Sequence, residues 1–322
     1  MIKNTPPFYT VVTPVWNRER FIERCIHSVL SQTFEDFEYI IVDDFSTDGT
    51  SDIVKKIKDD RIKLIQHKEN MGVCAARNTG TEAATGQWIL TLDSDWMLDP
   101  NALEKLYAVI QSVSDDVGVV GAMIRTDMGV KWPGAVPPQV PMNLVELMRW
   151  KEACHCGGAT DYLQCRRKII FKEFHWPTKR VLEGRIHWEI AQKWKTYVID
   201  EILATQYLSV ENSISRTRSL SVYKKRALFA KERFGYEVET IEIFGGLLQT
   251  HAPSIYRARL FDAVYWSFLA GKRSIGYRYW RKLYYIQPSK LKSYGLLISG
   301  LIGPSFMVIA NYLRSLLSKI NL

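Results

Sequence analysis

Phe37-Glu38-Tyr39-Ile40-Ile41-Val42-Asp43-Asp44 and Trp88-Ile89-Leu90-Thr91-Leu92-Asp93-Ser94-Asp95 each read as a short apolar strand that runs straight into acidic residues. Such runs of β-branched and aromatic residues are buried strands. Two carboxylate clusters therefore stand at strand ends. In open α/β sheets, ligands bind in the crevice outside the carboxyl ends of the strands. A pair of acids separated by one residue at such an end suits a hard cation held against a diphosphate.

Working outward, Tyr9-Thr10-Val11-Val12-Thr13 is a first strand ending at Pro14, followed by the loop Val15-Trp16-Asn17-Arg18-Glu19. Phe21, Ile22, Cys25, Ile26, Val29 and Leu30 recur at helical spacing. After Asp44, the stretch Phe45 to Ser51 is a turn rich in capping residues before a helix from Asp52 to Lys58. Ile62 to Gln66 is a third strand. Asn70-Met71-Gly72 turns into a small-residue helix, Val73 to Ala84. Asp99-Pro100 starts a helix with proline in its first turn, and Val117 to Ala122 is a further strand. Lys131 to Pro138 is a proline-rich loop; Asn143 to Lys151 and Ile186 to Trp194 are helical. Strands alternating with helices at this spacing predict an α/β fold with a doubly wound, mostly parallel sheet flanked by helices.

The formal charge of +9 over 322 residues hides a split. From Ile214 to Leu322, 18 Lys+Arg stand against 5 Asp+Glu, whereas the rest of the chain is slightly acidic. A basic tail points to a polyanion or an anionic membrane surface. The five cysteines have no framework spacing and suit a reducing compartment. Cys154-His155-Cys156, with Cys165 and His175, is spaced too tightly for a usual zinc site. Met1 to Pro7 lacks the basic-then-apolar pattern of a secretory signal, so the chain is expected in the cytoplasm.

An Asp-x-Asp alone is common in loops; its place after a buried strand makes Asp93 and Asp95 metal-ligand candidates for Mn²⁺ or Mg²⁺. Asp43 and Asp44, read as ending the neighbouring strand, are placed to accept from a base N–H or ribose hydroxyls. Acids before Ser46 and Thr47 also serve as turn and cap residues. Arg77, with Asn78 beside it, reaches toward a pyrophosphate or lies on an ordinary helix surface.

Together these segments resemble the inverting family 2 glycosyltransferases with the GT-A fold, of the bacterial surface-polysaccharide type. The resemblance runs in order through Thr13-Pro14-Val15-Trp16-Asn17-Arg18, Ser28 to Thr33, Ile41 to Thr50, Asn70 to Asn78 and Leu92-Asp93-Ser94-Asp95. It implies a nucleotide-sugar donor, with Pro14, Asn17, Arg18, Asp43 and Asp44 around base and ribose, Arg77 near the phosphates, Asp93 toward the ribose and Asp95 on the metal. Members of the family usually add a Glu-Asp pair before a tryptophan-bearing helix, whose acid deprotonates the acceptor hydroxyl. Here Glu183 matches the first acid by its offset from Trp188, and Gly184 replaces the second. Glu189 or a histidine is the alternative base.

The uncharged stretch Ser293 to Leu313 has the length of a membrane span. Gly295, Gly300, Gly303-Pro304 and Asn311 dilute it, so that spanning, lying in the interface and packing as helices all stay open. Upstream, Lys272 to Tyr285 interleaves cations with tyrosine and tryptophan, as a membrane surface favours. Nucleic acid attracts the same composition; the apolar stretch that follows favours lipid.

The expected organisation is a GT-A catalytic domain over 1–215, donor-binding in 1–122 and acceptor-side in 123–215, then a helical, basic, membrane-associating region over 216–322. The expected reaction is metal-assisted transfer from a nucleotide-diphosphate donor, a UDP-sugar, to a hydroxyl of a glycan or lipid-linked acceptor. Its place is the inner face of the cell membrane, peripheral or monotopic, with no nucleic-acid partner. The rival is an inactive nucleotide-binding scaffold in a glycan-assembly complex, suggested by Gly184. A dinucleotide-dependent oxidoreductase is disfavoured because no Gly-x-Gly-x-x-Gly follows the first strand.

Overall fold

The computed structural model describes residues 5–154, 161–177, 184–208 and 230–286. The chain divides into two compact units, Met1–Lys179 with Glu183–Val210, and Arg180–Leu182 with Glu211–Leu322.

In the first unit the described residues form a 9-stranded sheet of the GT-A type. The chain begins β1 (Tyr9–Val15), α1 (Ile22–Leu30), β2 (Phe37–Asp43), α2 (Thr50–Lys56), β3 (Ile62–Gln66), α3 (Val73–Ala83) and β4 (Trp88–Thr91). These four strands are parallel, in the order β3-β2-β1-β4. Then follow β5 (Trp96–Leu98), α4 (Ala102–Ser112), β6 (Val117–Thr126), β7 (Lys131–Trp132), α5 (Leu144–Ala153), β8 (Leu163–Arg167), α6 (Arg185–Ala191) and β9 (Lys195–Gln206). Here β8 runs antiparallel to β4 and β6, β5 antiparallel to β9, and β7 antiparallel to β6. The mostly parallel expectation therefore holds for the first half, and the second half is mixed.

The continuous apolar runs of β1, β2 and β4 follow from burial on both faces. Tyr9, Val11, Tyr39, Ile41, Trp88 and Leu90 pack with α1 and α4, while Val12, Ile40, Val42 and Ile89 pack with α3 and α6. Against α3 the approach is close enough to require glycine: a Cβ on Gly80 would lie 2.3 Å from Val12 Cγ1.

Two readings need correction. The Asp43-Asp44 and Asp93 strands are not neighbours, because β1 lies between them. Strand β1 also does not stop before Pro14, which pairs with Val42 of β2. Proline is tolerated there because the β1–β4 pairing runs only from Tyr9 to Val12, and the last rung, Leu92 N–H to Val12 C=O, is 2.9 Å. Pro14 faces the same side as Val12, beyond the last rung of that ladder.

In the second unit the described residues form three helices, α7 (Ala230–His251), α8 (Pro253–Leu269) and α9 (Arg273–Ile286). Phe244 and Leu248 of α7, Leu260 and Val264 of α8, and Tyr279 and Leu283 of α9 are buried. Among the described residues no helix is long and apolar enough to cross a membrane; Ser293 to Leu313 lie outside them.

Candidate active site

The sheet order places β1 between strands on either side that come later in the chain, so the switch point lies at the β1/β4 boundary, beside the ends of β2 and β4. The loops that leave β1 and β2 are fastened together. Asn17 N–H donates to Ser46 Oγ at 2.9 Å, and Asn17 Oδ1 accepts from Thr47 N–H at 2.8 Å. Arg18 N–H donates to Thr50 Oγ1 at 2.7 Å, and Glu19 Oε2 accepts from Gly49 N–H at 2.9 Å. Asn17 and Phe45 take left-handed backbone conformations, φ 51° and 65°. Asparagine adopts that region readily, whereas phenylalanine there is a strained residue of the kind found at functional sites. Trp16 and Phe45 remain 44% and 48% exposed, two large rings the sequence reading left without a role.

Asp43 and Asp44 do different work. Asp43 accepts from Ser46 N–H at 3.0 Å, with Gln66 Nε2 at 3.5 Å from its other oxygen. Asp44 accepts from Met71 N–H at 2.9 Å and Gly72 N–H at 2.7 Å, and pairs with His67 Nδ1 at 2.8 Å. It thereby orders the turn in which Gly72, at φ 94°, opens α3.

That turn sets Arg77, one helical turn further on, whose Nη2 donates to Asp93 Oδ1 at 2.6 Å. Burial first, and then the neighbouring Asp93, push the Asp95 carboxyl up to about 7, with Arg18 and Arg77 pulling the other way. Arg18 Nε is buried without a hydrogen-bond partner among the described residues. The Asp95 carbonyl accepts from Tyr207 N–H at 2.9 Å, which ties the acidic loop to the end of β9.

Asp93 and Asp95 fit Mn²⁺ or Mg²⁺. Two neighbouring carboxylates, one with its pKa pushed up to about 7 by burial and by the other, form a donor set whose mutual repulsion a divalent cation would relieve. Among the described residues no group of three or more His, Cys, Asp or Glu assembles a cage. None is needed for a metal shared with phosphates, which uses one or two carboxylates.

Glu183 lies outside the described residues, as do His155 and Cys156. Of the alternatives for the base, Glu189 is ion-paired to Arg185 Nε at 2.8 Å, one turn along α6. His187 is half-buried, and loss of solvent around its ring, then Lys151, Arg166 and Arg77, hold its pKa well below the usual histidine value. The cationic cluster around it leaves no mark in the order of residues. Arg166, in β8, is 2% exposed and donates to Gln164 Oε1 at 2.7 Å and to His187 Nδ1 at 3.3 Å. The Trp176 ring lies 5.9 Å from the Arg77 guanidinium and 5.4 Å from that of Arg166. An arginine inside a short strand is, by sequence, indistinguishable from a surface one.

The sequence profile of Glycosyl transferase family 2 matches residues 10–173. TuaG of Bacillus subtilis (strain 168), a glycosyltransferase named for teichuronic acid biosynthesis, is 43% identical over 223 residues, 67% of this chain and 84% of TuaG. Among solved structures, Staphylococcus aureus TarS 1-349 in complex with UDP-GlcNAc superposes with a TM-score of 0.57 at 18% identity, covering 88% of this chain and 93% of TarS 1-349. The Pyrobaculum calidifontis mannosyltransferase PcManGT, in complex with GDP-Man and Mn²⁺, superposes with a TM-score of 0.54 at 18% identity, over 98% of this chain and 89% of PcManGT.

Proposed function

The chain belongs to glycosyl transferase family 2, and from that premise we propose that it moves one sugar from a UDP-sugar to a hydroxyl of a glycan or lipid-linked acceptor, with inversion. The observation that carries the reading is the Asp93–Asp95 pair, bonded to Arg77 and set at the switch point of the sheet. UDP is favoured as the nucleotide by the likeness to TarS, and GDP is the alternative to test, on the likeness to PcManGT.

The nucleoside occupies the crevice beside the fastened β1 and β2 loops. Trp16 and Phe45 offer exposed rings to stack on the base, and Asp43 accepts from the base N–H or the ribose. Pro14, Asn17 and Asp44 act from behind this surface, by shaping the two loops and the turn into α3. Arg77 and Arg18 face the diphosphate, with Asp93 toward the ribose. When bound, Mn²⁺ or Mg²⁺ on Asp95 and Asp93 stabilises the negative charge of the departing diphosphate.

In the displacement, the acceptor oxygen forms its bond to the anomeric carbon as the bond from that carbon to the β-phosphate oxygen breaks. The electron pair leaves with the nucleoside diphosphate, and the hydroxyl proton passes to Glu183. The Arg185–Glu189 ion pair and the depressed pKa of His187 among cations both favour Glu183 over its alternatives. The basic tail supports a reaction at the inner face of a membrane, where a lipid-carried acceptor would be presented.

Calorimetric titration with UDP, with and without Mn²⁺, tests the donor site. Metal-dependent binding that Asp95→Ala abolishes supports it. UDP binding indifferent to both metal and Asp95 removes the metal assignment, and binding of GDP alone replaces the donor.

A further inference from the structure

We propose that the outward side of α9 is a lipid-contacting surface, which seats the protein on an anionic bilayer through aromatic ring edges flanked by guanidinium groups. The proposal rests on the membrane reading above and assigns it to particular residues. Helix α9 packs inward through Gly276, Tyr279 and Leu283, all buried. A Cβ on Gly276 would lie 2.9 Å from the Phe268 ring, so this side is pressed against α8. The remaining circumference carries Arg273, Tyr277, Arg278, Arg281, Lys282 and Tyr285, all exposed, and no acidic residue occurs between Lys272 and Ile286. A helical surface of one charge sign complements an anionic partner.

Ring geometry separates the two polyanions that such a surface attracts. Tyr277 and Trp280 stack at 5.7 Å and 22°, and Trp280 and Tyr284 stack at 5.3 Å and 22°. The Trp280 ring is thus engaged by two neighbours of its own helix, Tyr277 and Tyr284. Nucleic-acid binding through aromatics needs open faces for bases to stack on. Rings stacked on one another along the helix offer bases less open face, and their phenol and indole polar groups suit headgroup depth. Tyr285, 72% exposed, and Ile286 extend the apolar contact at the end of the helix.

The test is co-flotation of the full chain with phosphatidylcholine vesicles containing or lacking phosphatidylglycerol. Two variants are compared: Arg273→Gln/Arg278→Gln/Arg281→Gln, and Tyr277→Ser/Tyr285→Ser. All substituted side chains are exposed, and a wild-type melting temperature controls for folding. The expected result is binding that requires phosphatidylglycerol, weakens with salt, and falls by about tenfold or more in the charge variant. A smaller fall is expected in the ring variant. Wild-type protein that floats with neither vesicle overturns both this proposal and the membrane reading. Wild-type flotation that both variants retain in full overturns the α9 assignment and leaves the membrane reading standing. Tighter binding to a single-stranded RNA oligomer than to vesicles at the same salt overturns the lipid assignment in favour of nucleic acid.

Discussion

Asn78 of α3 and Trp176, separated by 98 positions, exchange two hydrogen bonds: Asn78 Nδ2 donates to the Trp176 carbonyl at 2.9 Å, and Trp176 N–H donates to Asn78 Oδ1 at 2.9 Å. The preceding residue, Arg77, holds Asp93. Adjacent residues on one helix thus fix the acidic loop and the segment that leads, seven residues later, to Glu183. Asn78→Ala leaves two backbone groups of Trp176 without partners, at a cost of about 1–3 kcal/mol each when buried. The expected outcome is a lower melting temperature and a reduced kcat with UDP affinity little changed. Asn78→Asp keeps the acceptor and loses the donor, and should fall between. A variant whose UDP affinity collapses along with kcat would show that Asn78 serves the donor site instead.

The raised Asp95 pKa fixes a sign. The folded protein holds a proton at Asp95 up to about pH 7, which the unfolded chain releases near the ordinary aspartate value. Stability therefore falls as pH rises through that window. In chelator, Asp95→Asn should melt higher than wild type at pH 8 and near it at pH 4, while losing the stabilisation that added Mn²⁺ gives the wild type. Parallel pH profiles for the two proteins would refute the assignment.

His187 has the opposite dependence. Its pKa is depressed, so the folded state keeps it neutral while the unfolded chain takes up a proton below about 6.5. Stability is retained above that value and lost as pH falls through it. His187→Gln should flatten the melting-temperature profile between roughly pH 5 and 7 and leave more transfer activity than Glu183→Gln does. The reverse ranking in activity would make His187 the base.

Gly80→Ala tests the seat of α3. The added methyl would stand 2.3 Å from Val12 Cγ1 and 3.2 Å from Val42 Cγ2. Overpacking of this kind typically costs about 1–3 kcal/mol. Chemical denaturation measures it directly, and an unchanged midpoint would mean that α3 lifts from the sheet without penalty.

The parallel half of the fold was legible because each of its strands is a local apolar run between turn signals. Phe37 to Asp43, Ile62 to Gln66 and Trp88 to Thr91 stand close to where the residues alone put them. In the antiparallel half, β6 was legible from Val117, but its partners β5 and β8 were not. Strand β5 is three residues of Trp96-Met97-Leu98, and β8 contains Gln164, Arg166 and Arg167, so neither carries a strand signal without its partners. The helix expected from Asp99-Pro100 begins at Ala102, since those residues serve the turn out of β5. In the site, the positions of the acids followed from the strand ends. Their division of labour did not, because the bonds from Met71 and Gly72 to Asp44 depend on a turn distant in sequence. The pairing of Asn78 with Trp176 is invisible for the same reason.

Pro14 stands where the ladder between the two central strands ends. In a parallel ladder the next rung after Leu92 to Val12 would run from the N–H of position 14 to the Leu92 carbonyl, and proline has no hydrogen to give. The two central strands are thereby denied one rung, at the residue just before Asp93. The imino acid works as a stop in a zipper, and the chain comes unfastened level with the start of the acidic loop.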